Sequence, residues 1–192
     1  MKRGSCRLTS RVFIDADCIS AFLWVGTEHL LEKLYSGKIV IPQEVYDEIN
    51  IPTIPHLKSR IDQLVAKGSA EIVSIDIGTE EYELYRNLTR NHDSNKVIGK
   101  GEADSISLAK KHNGILGSNN LRDVQPYVEE FSLEHMTTGD ILVEAFKAQF
   151  ITEQEAIISG IICLKREGKL GRILFQTIFV EVFIKIDKNK FG

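Results

Sequence analysis

Apolar residues along the chain gather into short unbroken runs separated by stretches in which they recur at helical spacing. Val12 to Ile14 is the first run and reads as a short central strand that ends directly on Asp15. Ile19 to Trp24 then starts a helix packed on it. A second helix spans Glu28 to Tyr35, with Leu30, Leu31 and Leu34 at helical spacing and Gly37 as its C-terminal stop. Lys38 to Ile41 is the next strand. Pro42 is expected at the first position of the following helix, where its missing N–H costs nothing, and that helix carries Glu44, Val45, Glu48 and Ile49.

Pro52 and Pro55 interrupt the pattern, after which Leu57, Ile61, Leu64 and Val65 mark an amphipathic helix closed by Gly68. Glu71 to Ile75 reads as a strand and Thr79 to Leu88 as a helix with Tyr82 and Tyr85 on one side. The polar stretch from Arg90 to Lys96 is expected to be a loop. A helix from Gly101 to Lys111, a strand from Ile115 to Gly117 and a helix from Leu121 to Val128 follow. Strands alternating with helices predict an α/β fold, with a parallel sheet covered on both faces through right-handed crossovers.

The pattern changes near Thr138. Asp140 to Phe150 and Glu153 to Glu167 read as two helices, the second started by Thr152 and Glu155 as a capping box and closed by Gly168. The apolar segment Ile173 to Ile184 comes last. Residues 11–137 are therefore expected to form one α/β domain. Residues 138–192 are expected to be a C-terminal helical extension, packed on that domain or used in association, because so much apolar surface has to be buried somewhere.

A length of 192 residues with 43% hydrophobic content suffices for one well-buried core and excludes a disordered chain. The formal net charge of −3 gives no general basic field, so a nucleic acid would have to be gripped by a local patch and a bridging cation. Cys6, Cys18 and Cys163 lack the spacing of a zinc site or a disulfide framework, which suits a reducing, cytoplasmic setting. The basic N-terminal stretch has no apolar segment behind it and is read as a short leader. No stretch is long enough to span a bilayer.

The candidate chemistry lies in carboxylates placed at successive α/β units: Asp15 and Asp17 after the first strand, Glu48 in the helix after the second, and Glu102 and Asp104 opening a later helix. In open α/β sheets functional groups collect beyond the carboxyl ends of the strands, and hard oxygen donors there suit Mg²⁺ or Mn²⁺. Each acid also has an ordinary role available. Asp17 is a natural N-cap, Glu44, Asp47 and Glu48 suit a solvated face, and Glu102 suits the first turn of a helix. Asp15 is different, because a carboxylate beside a buried strand needs a partner. The five histidines show no paired spacing, and Cys18 is read as a small buried residue.

VFIDADCISAF, GKIVIPQEVYDEI and GKGEADSISLAKKHNGILGSNN, taken in order, resemble the PIN-domain family of metal-dependent ribonucleases, in particular its small prokaryotic toxins, over about residues 11 to 130. The resemblance implies a three-layer α/β/α sandwich with a central parallel sheet. It also implies an acidic pocket for Mg²⁺ or Mn²⁺, an RNA substrate and an antitoxin-like protein partner, with a homodimer as a further expectation. The family's acids fall on Asp15, Glu48, and Glu102 or Asp104. Where members commonly carry a fourth acid, the chain reads Gly117, Ser118, Asn119, Asn120. Asn120 takes the acid's place as an uncharged candidate ligand, with Asp123 one turn away.

Asp17, Ser118, Asn119 and Arg122 are candidate substrate contacts, with Lys96, Lys100, Lys110 and Lys111 as possible phosphate contacts. The missing fourth acid keeps open an alternative from another class, a PIN-like module that binds without turnover. A further alternative treats Asp15 and Asp17 as the DxD pair of a haloacid dehalogenase-like phosphatase. Against it, no later Lys and paired-Asp motif is present. No glycine-rich turn follows the first strand, which argues against a dinucleotide-binding domain.

Overall fold

The computed structural model describes residues 10–90, 97–152 and 154–155. Within them the order is β1 (Val12–Ile14), α1 (Ala16–Val25), α2 (His29–Tyr35), β2 (Ile39–Pro42), α3 (Gln43–Ile49), α4 (Pro55–Ala66), β3 (Ala70–Val73), α5 (Glu80–Arg90), α6 (Lys100–Lys111), β4 (Ile115–Gly117), α7 (Leu121–Glu130), β5 (Glu134–Met136) and α8 (Thr138–Lys147). The strands form one five-stranded sheet in the order β3-β2-β1-β4-β5, and every pair is parallel.

Alternation along the central strands divides the core in two. Val12 and Ile14 of β1, Ile39 and Ile41 of β2 and Ile115 of β4 point to one face, where α1, α2, α3, α4 and α8 cover them. Phe13, Val40 and Leu116 point to the other, against α5, α6 and α7. The result is a three-layer α/β/α sandwich. Val12, Phe13 and Ile14 have no exposed surface at all, as a strand covered on both sides requires. Each such side chain is worth roughly 1.5–3 kcal/mol relative to an exposed one.

The chain leaves β1 toward β2 and β3, then returns past it to β4 and β5, so the direction of winding reverses between β1 and β4. Ile14 pairs with Gly117 there, and the two strands end together. That is the crevice in which open α/β sheets place ligands.

Some boundaries differ from the pattern-based expectation. Pro42 closes β2 and stands as N-cap of α3, not as its first helical residue. Helix α1 begins at Ala16, three residues before Ile19. β5 was not expected from the sequence, since it is three residues long on the sheet edge, with Glu134 and His135 polar and only Met136 buried. Helix α8 adds Ile141, Leu142 and Ala145 to the core built by residues before it. Thr152 and Glu155 form the expected reciprocal hydrogen bonds of a capping box. The remainder of the Glu153–Glu167 helix, its Gly168 stop, the Ile173–Ile184 segment and most of the Arg90–Lys96 loop lie outside the described residues.

Gly114, just before β4 and at the end of the sheet opposite the switch point, packs closely on β1. A Cβ there would lie 2.4 Å from Phe13 Cε2 and 2.8 Å from the Arg11 carbonyl oxygen. Gly114→Ala should therefore lower stability by roughly 1–3 kcal/mol. The check is the urea midpoint: a midpoint equal to the parent's would mean that Phe13 moves aside freely.

Candidate active site

Asp15 leaves β1 at the switch point. Its N–H donates to the Gly117 carbonyl at 2.9 Å, which ties it to the end of β4. Its Oδ1 accepts the Cys18 N–H at 2.7 Å, so Asp15 itself is the N-cap of α1, and Asp17 stands exposed in the first turn. Asp15 is only 1% exposed, and its Oδ2 accepts no hydrogen bond. Burial pushes its carboxyl from 3.8 up to about 7; the Ser118 hydroxyl and the Cys18 amide offset part of the rise, while Asp17 and Glu102 add to it.

Glu102, in the first turn of α6, reaches the same place. Its Oε2 accepts the Gly99 N–H at 3.2 Å and its Oε1 accepts Asn120 Nδ2 at 2.6 Å. Asn120 Nδ2 also donates to Asp123 Oδ2 at 2.8 Å. Desolvation raises the Glu102 carboxyl; the Asn120 and Gly99 donors hold it down in part, and Asp123 and Asp17 push it further up. Asp15, Asp17, Ser118, Glu102, Asn120 and Asp123 thus form one group at the ends of β1 and β4.

Asp104 belongs elsewhere. Two residues along a helix is a rotation of about 200°, so when Glu102 faces Asp15 its neighbour faces α3. There Asp104 Oδ2 accepts the Glu44 N–H at 3.1 Å, and its Oδ1 is buried without a partner. Burial, with Glu44 and Asp47 adding to it and the Glu44 amide opposing, raises Asp104 to about 7. Tyr85 donates its hydroxyl to Glu44 Oε1 at 2.7 Å. Burial and this carboxylate partner raise the phenol above its ordinary value. Glu48, on α3, returns the favour: its Oε1 accepts the Gly101 N–H at 3.0 Å, one residue before Glu102. The two helices therefore each receive a carboxylate from the other at their N-terminal turns, where the backbone N–H groups lack partners.

The remaining candidates separate by position. Both ends of the Asn119 amide are engaged with Thr138, Nδ2 to Oγ1 and Oδ1 from the N–H, each at 2.9 Å, which fixes the start of α8 to the end of β4. Ser118 Oγ accepts the Asn120 N–H at 3.2 Å, a turn contact. Arg122 is exposed beside the group, and Lys100 is exposed 4.0 Å from Glu44. Lys110 and Lys111 lie at the far end of α6, Lys110 over the Phe131 ring and Lys111 paired with Glu81, and they are removed from the site. Lys96 is outside the described residues. His135 Nε2 faces the Ser118 carbonyl at 2.9 Å, and burial lowers its pKa, so the neutral ring donates there.

A family model described as a PIN domain matches residues 11–166. The chain belongs to the PIN-domain family. PIN domains are nuclease-type folds that typically use divalent metals. No curated protein matches the chain.

Among the described residues, no three His, Cys, Asp or Glu side chains stand as close together as a bound ion would draw them. The donor chemistry of this PIN domain nonetheless fits a hard divalent ion. The acceptors of the switch-point group are carboxylate, hydroxyl and amide oxygens, and Asp15 Oδ2 is buried without a hydrogen bond. A cation beside that carboxylate would supply what burial has removed.

The proton held by Asp15 also makes a stability prediction. Its folded value of about 7 exceeds the unfolded 3.8, so the stabilisation is complete below 3.8 and is lost as pH rises through about 7. The interval corresponds to roughly 4 kcal/mol between protonation states. Without divalent ions, Asp15→Asn should gain on the parent in thermal midpoint between about pH 4 and pH 8. A difference that stays flat over that range would show that Asp15 is ionised throughout in the folded chain.

Proposed function

We propose that the protein is a divalent-metal-dependent endoribonuclease that hydrolyses RNA phosphodiester bonds, a toxin-type PIN protein kept in check by an antitoxin-like partner. The observation that carries this is the buried Asp15 carboxylate, whose Oδ2 makes no hydrogen bond, within an acidic group at the switch point of a PIN fold. Asp15, Glu102, Asp123 and Asp17 would hold Mg²⁺ or Mn²⁺, with Asn120 and Glu48 beside them. When bound, such an ion supplies Lewis acidity toward the phosphate and a water acidified for attack on phosphorus.

The chain's own residues set the geometry. The Cys18 N–H fixes the Asp15 carboxylate by one oxygen and leaves the other without a hydrogen bond. Glu48 and Asp104 fix α6 against α3 and so determine where Glu102 points. Arg122, exposed next to Asp123 in α7, and Lys100, exposed in the first turn of α6, would be available for phosphate oxygens. Nothing in the proposed reaction requires a covalent enzyme intermediate.

The expected behaviour is cleavage of single-stranded RNA with Mg²⁺ or Mn²⁺, abolished by EDTA and restored by added metal. Asp15→Asn should reduce kcat roughly a hundredfold or more, the scale of several kcal/mol of lost charge stabilisation. A gel assay with a labelled oligoribonucleotide decides it, and a variant as active as its parent removes Asp15 from the mechanism. The alternative, a PIN-like binding module without turnover, is favoured by one feature, the amide of Asn120 where an acid is expected. RNA bound but never cut by the metal-loaded parent would select it.

We also propose that residues after Glu155 mediate association, with a second copy or with the antitoxin-like partner. A cut at residue 138 would strip Ile141, Leu142 and Ala145 from the core, so the informative truncation is after Glu155. Light scattering should give a dimer for the full chain and a monomer for the truncated one; a full chain that is monomeric rejects self-association.

A further inference from the structure

Asn120 does something that neither a helix cap nor an ordinary ligand requires. Its Nδ2 stands 2.6 Å from Glu102 Oε1 and 2.8 Å from Asp123 Oδ2. An amide nitrogen carries two N–H groups, one for each carboxylate, whereas the flipped amide would set its oxygen against both acids. Two carboxylates sharing one neighbour repel unless a donor or a cation lies between them. Here the donor is neutral.

The position also forgoes its usual task. A residue at the N-cap ordinarily gives its side-chain oxygen to the second or third N–H of the helix, but the Asn120 side chain makes no cap bond to α7. Its own N–H is held by Ser118 Oγ, which leaves the side chain free to bridge. Asp at this position would add a negative charge and donate nothing while ionised.

We propose that Asn120 is a positioning residue: its amide joins Glu102 to Asp123 as one unit beside Asp15 and, by withholding a negative charge, suits the site to one divalent ion instead of two. The carboxyl one turn along α7, Asp123, thereby stands in for the acid missing at 120. The inference rests on the metal-dependent function proposed above.

Mn²⁺ titration of the full chain by calorimetry, without RNA, tests it. The parent should bind one ion. Asn120→Ala should still bind one, about 10- to 100-fold more weakly, the range for losing a group that orients metal ligands. Asn120→Asp, nearly isosteric, should take up a second ion. Circular dichroism and thermal midpoints confirm that each variant is folded; if Asn120→Ala is not, the isosteric variant decides alone. An Ala variant with parental affinity, a parent with two ions, or an Asp variant with one would overturn the proposal while leaving metal dependence intact. A folded parent that takes up no Mn²⁺ at millimolar concentration overturns both.

Discussion

The carboxylate of Asp15 sits one residue beyond a strand with no exposed surface, and removing a carboxylate from water into such a place costs several kcal/mol unless it is neutralised or paired. The surrounding structure supplies only part of that compensation. The Ser118 hydroxyl and the Cys18 amide favour the charged form, while Oδ2 makes no hydrogen bond. The register of β1 with β4 leaves no room for retreat, since Ile14 lies against Gly117 and the Asp15 N–H is bonded to Gly117. A residue held this firmly in an unfavourable state is stability given up at a site, and stability of this kind is commonly spent on function.

Helix α6 is the second element on which the arrangement turns. It presents Glu102 to the switch point and Asp104 to α3, and the same rotation that separates them lets one helix serve a site and a scaffold at once. The exchange of carboxylates between α3 and α6 satisfies an N–H at each helix start and complements both dipoles. It also fixes the rotation of α6 about its own axis. Gly101 is part of this contact, because a Cβ there would meet both Glu48 carboxylate oxygens at 3.0 Å. Loss of the α3 contact would therefore be felt at Glu102 without any residue of the switch-point group being touched.

Much of the fold was legible because buried parallel strands write themselves as apolar runs. β1, β2 and β4 are such runs, and the helices between them keep their period. β5 was not legible: three residues with one buried side chain carry no periodic signal on a sheet edge. Asp15 could be singled out because its position followed from the strand before it. The choice between Glu102 and Asp104 could not be made from adjacent letters, since it depends on how α6 is rotated against the sheet. Likewise Asn120 reads in the sequence as a lost acid, and only the distances to Glu102 and Asp123 show it as a donor between two retained ones. The cap of α1 shifted from Asp17 to Asp15 for a related reason, because the helix starts as soon as the strand ends.

Charge ties the proposed chemistry together. A phosphodiester approaching Asp15, Asp17, Glu102 and Asp123 meets carboxylates, and a chain of net charge −3 has no general field to draw it in. On the proposed reading, attraction at the site would come from a cation held by those same carboxylates, with Arg122 and Lys100 assisting. Such an ion would lower the repulsion felt by RNA, and RNA would add ligands to the ion, so each would raise the affinity of the other by the same factor, as linkage requires. A neutral bridge at Asn120 fits this economy. With one negative charge fewer, a single ion would leave less residual repulsion for an incoming phosphate, while the amide holds the two flanking acids in place without it.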